Sequence, residues 1–363
     1  MTYKYRGTTN ATVTAATATR WVIGMASDKV GYAANSDRTS WTFYDMIEGS
    51  GDPDAKDVAY GKDGSGNGIY VMARSSTTKE LFVSSDNVTT DASWTVVNIS
   101  GGDRMDMFTV AWSEDSTSST SGVWFAVGEQ DTNKEIYRST NGAATWSAVD
   151  LSGISGHSTT SISSIASDGA GKWAFGQDGR FYHSTNDGVS FAATTPFTAD
   201  KILGIAYTNS TWVVAYERSS TMYVRCAAAS DVTTWSSETQ IDGSAGNFPV
   251  PDSGFGRRVT IVTHEGKAAF LSHGTGNSNG RIGHCDVSGT TISNMETTAI
   301  AGSLGGDGPR DMATDGTTWM VVCIDGDIYE STDSAASWTK TVDAVRTSTD
   351  DIMCVAPDIY LPR

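Results

Sequence analysis

Charged side chains recur where short apolar strands are predicted to begin, and they are the first candidates for binding a ligand. Arginine grips carboxylates through its planar fork of donors, and paired carboxylates can act as acid and base on a glycosidic bond. Six residues combine these properties with such positions: Asp57, Arg104, Asp106, Arg257, Arg310 and Asp311. They predict either a small polar or sugar-binding site or a rim of solvated charges.

The sequence contains no complete catalytic set, and we predict no catalytic residue. A glycosidase of the paired-carboxylate type needs two acids about 5 to 10 Å apart. Only the geometry of the fold could bring such a pair together, and the available acids are Asp57, Asp106, Asp200 and Asp311. We therefore predict a protein without enzymatic activity.

No metal or cofactor is predicted either. The run from Asp63 to Gly68 places oxygen ligands at alternate positions, as the opening of a calcium loop does. However, Arg74 stands where a twelve-residue loop needs its bidentate glutamate. The run is better interpreted as a long hairpin turn.

A hairpin motif repeats along the chain and must position these charged residues. It consists of a serine, an aspartate or asparagine two residues later, small residues, and then an aromatic residue. The polar and aromatic members of three copies with one spacing are Asn141 with Trp146, Asn186 with Phe191, and Asp333 with Trp338, and Asp86 is the polar member of a lengthened copy. Because the polar side chain can accept backbone N–H bonds across the turn, we predict a structural role for these residues.

Seven copies of the motif, some shortened, lengthened or degenerate, close at positions separated by roughly 44 to 57 residues. Six of the copies follow a strand that opens on an aromatic residue, such as Trp173 or Trp319, and five follow an earlier apolar-Ala strand, such as Ile165-Ala166 or Met312-Ala313. Small residues suit strands that converge on a crowded axis. The pattern predicts an all-β fold, a seven-bladed β-propeller of four-stranded antiparallel blades.

The hairpin resembles the Asp-box, or BNR, repeat of sialidases, sortilin-type receptors, certain glucan hydrolases and photosystem assembly propellers. The resemblance covers almost the whole chain and implies a propeller. It says little about function, since the family includes enzymes, receptors and scaffolds. The Arg-Ile-Pro element of sialidases is absent, because Arg6 is followed by Gly7 and Arg20 by Trp21.

The amino-acid composition of the chain limits the classes of partner that it can bind. The chain has 25 Lys and Arg against 42 Asp and Glu, a net charge of -17. An acidic surface repels phosphate backbones, so nucleic acid is excluded as a partner, and no apolar run is long enough for membrane insertion. The N-terminal residues lack the apolar core of a signal peptide, and we predict a soluble chain. All four cysteines are expected to be reduced and buried.

The two ends of the chain compete for the first blade. Residues 1–10 are predicted to be an N-terminal arm, and residues 11–363 a single propeller domain. Both the segment from Val13 to Trp21 and the segment from Ile352 to Ala356 resemble the inner strand of a blade. Since a ring is stable only if its first and last blades are joined, we favour closure by the C-terminal strand.

For function we predict a structural or recognition propeller in a larger assembly. Our preferred assembly is a phage virion, with the chain as a tail or surface-exposed protein that contacts host glycans. A glycan-binding or glycan-hydrolysing propeller and an assembly-factor scaffold are the alternatives. The partner and the stoichiometry are not encoded in any recognisable motif.

Overall fold

A computed structural model gives the fold of the chain. The structure describes residues 2–4, 12–14, 18–26, 29–46, 54–74, 80–84, 88, 93–99, 106–117, 119–130, 133–154, 162, 164–197, 201–241, 248–251, 258–272, 280–300, 308–343 and 351–359. These residues form seven four-stranded antiparallel sheets and one two-stranded sheet.

The seven sheets are the blades of a propeller, and we number the blades in chain order. Outside them, β1 (Thr2–Lys4) pairs with β2 (Thr12–Thr14). Blade 1 contains β3 (Arg20–Met25), β4 (Lys29–Ala34) and β5 (Asp37–Asp45). Blade 2 contains β6 (Ala55–Lys62), β7 (Gly68–Arg74), β8 (Glu80–Ser84) and β9 (Trp94–Asn98). Blade 3 contains β10 (Asp106–Ser113), β11 (Val123–Gln130), β12 (Asn133–Ser139) and β13 (Ser147–Ala148).

The remaining blades repeat this order from the axis to the rim. Blade 4 contains β14 (Ile165–Ser167), β15 (Trp173–Gln177), β16 (Arg180–Ser184) and β17 (Ala192–Thr194). Blade 5 contains β18 (Lys201–Thr208), β19 (Thr211–Arg218), β20 (Thr221–Ala228) and β21 (Thr239–Gln240). Blade 6 contains β22 (Val259–His264), β23 (Lys267–Ser272), β24 (Arg281–Ser288) and β25 (Thr291–Ala299). Blade 7 contains β26 (Pro309–Thr314), β27 (Trp319–Cys323), β28 (Ile328–Ser331) and β29 (Thr339–Val342), and β30 (Ile352–Pro357) is the last strand of the chain.

The C-terminal strand closes the ring, as predicted. β30 is the inner strand of blade 1 and pairs with β3, so that Ile23 lies opposite Val355. The carboxylate of Asp358 then accepts the backbone N–H groups of Thr19 and Arg20, at 2.6 and 2.9 Å. Val13 instead pairs with Tyr3 in the two-stranded sheet, outside the blades. The boundary between the arm and the propeller domain stays a prediction.

Large aromatic residues fill the spaces between blades. In six blades an aromatic residue near the start of the second strand is almost fully buried: Trp21, Tyr70, Trp124, Trp173, Trp212 and Trp319. One apolar cluster, for example, joins Ala59 and Val71 of blade 2 to Trp112 and Trp124 of blade 3. Since a single blade cannot bury both of its faces, this packing makes each blade depend on its neighbours. All four cysteines are buried and free, as predicted.

Candidate functional site

The outer strand of each blade crosses to the inner strand of the next blade on one face of the ring, which we call the crossing face. The inner strands begin there, and Asp57, Arg310 and Asp311 lie near the starts of β6 and β26. All three are largely buried. Asp106 opens β10, but its side chain, like the whole of Arg104 and Arg257, is outside the described residues. The structure thus brings at least two of the predicted acids to the mouth of the central channel.

Asp57 joins blade 2 to blade 3. Its Oδ2 accepts hydrogen bonds from the Thr109 hydroxyl at 2.8 Å and from the Val110 backbone N–H at 3.0 Å. Its Oδ1 accepts from the backbone N–H of Val58 at 2.9 Å. Both carboxylate oxygens are therefore engaged by groups of the inner strands.

Asp311 plays the same part in blade 7, on the other side of blade 1. Its Oδ1 accepts from the Thr260 hydroxyl of blade 6 at 3.2 Å, and its Oδ2 accepts from the Val355 backbone N–H of blade 1 at 3.0 Å. Between blades 4 and 5, the Ser164 hydroxyl accepts the backbone N–H of Ile205 at 2.9 Å. Polar side chains at the mouth of the channel thus connect the inner strands of neighbouring blades.

Arg258 lies across the mouth of the channel. It precedes β22 of blade 6, yet it donates to the carbonyl of Phe108 in blade 3 at 2.8 Å and to the carbonyl of Lys56 in blade 2 at 3.0 Å. Its Nη1 is also 4.0 Å from Oδ2 of Asp57. The predicted site contains the neighbouring Arg257, which lies outside the described residues, so its part in the site stays a prediction.

Little space remains at this end of the channel. A cavity of about 60 Å³ is lined by the side chains that connect the blades and by apolar residues: Asp57, Thr109, Ser164, Arg258, Thr260 and Asp311 are its polar members. A second cavity, of about 40 Å³, lies at the other end between Ala59, Trp112 and Thr314. Ligand pockets usually measure roughly 300 to 1,000 Å³, so these cavities suit a few water molecules.

The buried thiol of Cys354 lies on the inner strand of blade 1, close to this site. Burial raises the pKa of Cys354 well above its ordinary value, and the negative charges of Asp311 and Asp57 act in the same direction. Because the thiolate is the reactive form of cysteine, burial disfavours nucleophilic reaction at this residue. The described residues of the channel mouth therefore offer structural hydrogen bonds rather than a nucleophile.

The repeated hairpins turn on the opposite face, which we call the hairpin face. In blade 3, Oδ1 of Asn141 accepts from the Thr145 backbone N–H at 3.0 Å and from the Ser139 hydroxyl at 2.9 Å. Nε1 of Trp146 donates to the Ala143 carbonyl at 3.0 Å. These bonds fix the turn and hold the aromatic ring against the sheet.

The other full copies of the hairpin have the same geometry. Asn186 accepts from the Ser190 backbone N–H at 3.1 Å, and Asp333 accepts from that of Ser337 at 2.9 Å. Phe191 is buried and Trp338 half-buried, while Asp86 lies outside the described residues. Burial raises the pKa of Asp333, but hydrogen bonds from Ser337 and Ser331 outweigh this effect and lower the pKa overall.

The turn that resembles a calcium loop is also held by its own side chains. Oδ1 of Asp63 accepts from the backbone N–H groups of Ser65 and Asn67, at 2.7 and 2.8 Å. Within the described ranges, no group of three or more His, Cys, Asp or Glu side chains could hold a metal ion. Nor is any described helix long and apolar enough to cross a membrane.

Comparisons with known proteins agree with the fold. A family model described as the DUF6242 beta propeller domain matches residues 113–279, which is less than half of the chain. No curated protein matches the chain significantly. Among solved structures, YCF48 bound to D1 peptide aligns with a TM-score of 0.52 and 13% identity, over 79% of this chain and 80% of that one.

Two further structures show the range of proteins with this architecture. YCF48 from Cyanidioschyzon merolae has a TM-score of 0.50 and 16% identity, with 79% of this chain and 84% of that chain covered. An ancestral GH74 enzyme has a TM-score of 0.56 and 13% identity, with 90% of this chain but only 48% of the enzyme covered. At such identities the likeness establishes a shared propeller fold and leaves function open.

Proposed function

We propose that the chain is a non-enzymatic recognition propeller that binds a protein partner on its crossing face. The proposal rests on the hydrogen bonds of two buried carboxylates. Asp57 accepts the backbone N–H of Val110, and Asp311 accepts that of Val355. A general acid or nucleophile must be free to reach a substrate. These carboxylates instead hold the inner strands together and give the crossing face a rigid base.

The rigid base suits protein recognition, because loops carried on a fixed scaffold bind with little loss of conformational entropy. The crossing loops predicted to bind contain Arg104 and Arg257, together with Asp106 and Arg310 at the strand starts. A solved propeller of similar fold, YCF48, holds a D1 peptide, which is a precedent for peptide recognition on this architecture. Kinship with Asp-box proteins is part of the proposal and is supported by the hairpin hydrogen bonds.

The assembly that we propose is a phage particle, with the chain exposed at the tail or surface and in contact with host glycans. The acidic composition and the missing sialidase element support a structural component over a soluble hydrolase. Mass spectrometry of purified particles and of proteins that co-purify with the native chain tests this proposal. A monomeric chain that is absent from every particle and complex would contradict it.

The binding face can be tested separately from the assembly. Arg104→Glu and Arg257→Glu should weaken capture of the co-purified partner, whereas Lys62→Glu, at the hairpin-face end of β6, should not. A panel of fluorogenic glycosides and a glycan array distinguish this proposal from the alternative, a glycan-binding or glycan-hydrolysing propeller. Hydrolysis that disappears in Asp106→Ala and Arg310→Ala, in variants that remain folded, would replace the recognition proposal with a glycosidase.

A further inference from the structure

A groove of about 260 Å³ lies on the outer rim between blades 3 and 4, on the hairpin face. One side is formed by the hairpin turn and the short outer strand β13 of blade 3. The turn of blade 4 forms the other side. The residues that line the groove include Arg138, Thr145, Ser147, Ala148, Asp150 and Val189. The groove is separate from the channel mouth and from the crossing face.

Arg138 supplies a fixed positive charge to the groove. Its Nε donates to the carbonyl of Asp187 at 2.7 Å, and the Asp187 carboxylate accepts the backbone N–H of Ser116 at 2.7 Å. Guanidinium has five donors, and among the described residues none accepts a hydrogen bond from the Nη groups of Arg138. Partial burial lowers the pKa of this guanidinium, while the negative charges of Asp187 and Asp115 act in the opposite direction. A carboxylate could accept a paired hydrogen bond from this guanidinium.

The edge of β13 supplies backbone groups. Ala148 lies opposite Tyr137 of β12, and the backbone N–H of Val149 donates to the Ile136 carbonyl at 2.8 Å. In an antiparallel pair, hydrogen-bonded and non-hydrogen-bonded pairs alternate, so the N–H and C=O of Ala148 point away from β12. Ala148 is exposed. An open edge of this kind is a template for pairing with another extended chain.

The wall on blade 4 is rigid and apolar at its tip. The backbone N–H of Gly188 donates to the Ser184 hydroxyl at 3.0 Å, and that of Val189 donates to the Asn186 carbonyl at 3.1 Å. Gly188 has a φ of +69°, and a Cβ there would lie 2.2 Å from the Phe125 ring. Val189 is 65% exposed, an unusual position for a large aliphatic side chain. The groove is therefore formed before any ligand arrives.

We propose that this groove binds an extended segment of a partner protein, which pairs with the edge of β13 at Ala148 and places an acidic side chain on Arg138. Among the described residues that line the groove there is no aromatic ring for a sugar to stack on, and a strand edge favours peptide backbone. The Asp150 carboxylate, whose Oδ1 accepts the Ser152 N–H at 2.9 Å, lies further along the groove. It repels a second acid, so the segment carries one acidic side chain, with an apolar side chain against Val189.

The experiment is a peptide array probed with the full chain. Immobilised hexapeptides rich in β-branched residues carry one aspartate at each position in turn, and a matched set carries asparagine instead. Binding should require the aspartate. The best peptide, labelled with fluorescein, is then titrated by anisotropy against the wild type and four variants.

The variants separate charge, backbone pairing and the apolar contact. Arg138→Gln should weaken binding about tenfold or more, because hydrogen bonds to charged groups contribute strongly. Ala148→Pro removes only a donor that faces away from β12, so it should weaken binding while the fold is kept. Val189→Glu adds a repelling charge at an exposed position and should also weaken binding, whereas Val189→Thr is the matched control with nearly unchanged affinity.

Three outcomes would overturn the proposal. The array could give no signal that depends on aspartate, or the best peptide could bind all variants equally. In the third, acidic oligosaccharides in the same titration would bind with an affinity that falls in Arg138→Gln but not in Ala148→Pro, which would make the groove a glycan site. Because all groove variants lie away from the crossing face, their results do not depend on the function proposed above.

Discussion

The guanidinium of Arg258 lies 4.0 Å from the carboxylate of Asp57 across the mouth of the central channel. The two residues belong to blades 6 and 2, which are not neighbours in the ring. Arg258 also donates to the carbonyls of Phe108 and Lys56. A buried cation is stable only when its hydrogen bonds are made, and here the inner strands provide the acceptors. Arg258 therefore ties opposite sides of the ring together through its axis.

Replacing Arg258 with methionine should destabilise the whole ring. Methionine keeps much of the side-chain volume but leaves two inner-strand carbonyls without a donor, and the expected loss is about 2 to 4 kcal/mol. Urea unfolding followed by tryptophan fluorescence measures this change. Lys62→Met, which removes a more exposed ion pair with Glu114, is the control and should leave the midpoint nearly unchanged. Equal midpoints for the two variants would show that Arg258 has no special role.

The seven blades could be predicted from the sequence because the repeat has a strong local cause. In the three full copies of the hairpin, the hydroxyl, the Asp or Asn and the closing aromatic lie within eight residues, so their spacing is visible in the chain. Closure by β30 was also predictable, since a ring requires it. Interactions across the axis could not be predicted, because Arg258 and Lys56 are 202 positions apart in the sequence. The groove on the rim could not be predicted for the same reason, because Arg138 and Val189 come together only when two blades pack.

Replacing Asp358 with alanine should loosen the closure of the ring. Its carboxylate accepts the backbone N–H groups of Thr19 and Arg20, just before β3, and its own N–H donates to the Arg20 carbonyl at 2.9 Å. Loss of the carboxylate bonds should lower the free energy of unfolding by about 1 kcal/mol. Limited proteolysis should then cut the variant faster near its ends. An unchanged cleavage rate would indicate that the pairing of β3 with β30 holds the ring by itself.

Asp231 gives the chain a stability that depends on pH. Hydrogen bonds from the Thr233 and Thr234 side chains lower its pKa to about 2. A carboxylate whose pKa is depressed in the folded state stabilises the fold above its unfolded pKa near 4, and this contribution is lost as the pH falls from about 4 to 2. In Asp231→Asn the melting temperature should fall less steeply across this interval. Parallel curves for the two proteins between pH 5 and pH 2 would contradict the assignment.

Gly61 marks a place where two blades touch too closely for any side chain. A Cβ at this position would lie 2.2 Å from Cγ of Trp112 on the neighbouring blade. The indole cannot easily withdraw, because its Nε1 donates to the Ser121 carbonyl at 2.9 Å. Gly61→Ala should therefore cost about 1 to 3 kcal/mol, measured by urea unfolding. Gly153→Ala, where a Cβ would meet nothing within 4 Å, is the matched control and should be neutral. If both variants unfold at the same urea concentration, the packing of Trp112 must be able to adjust.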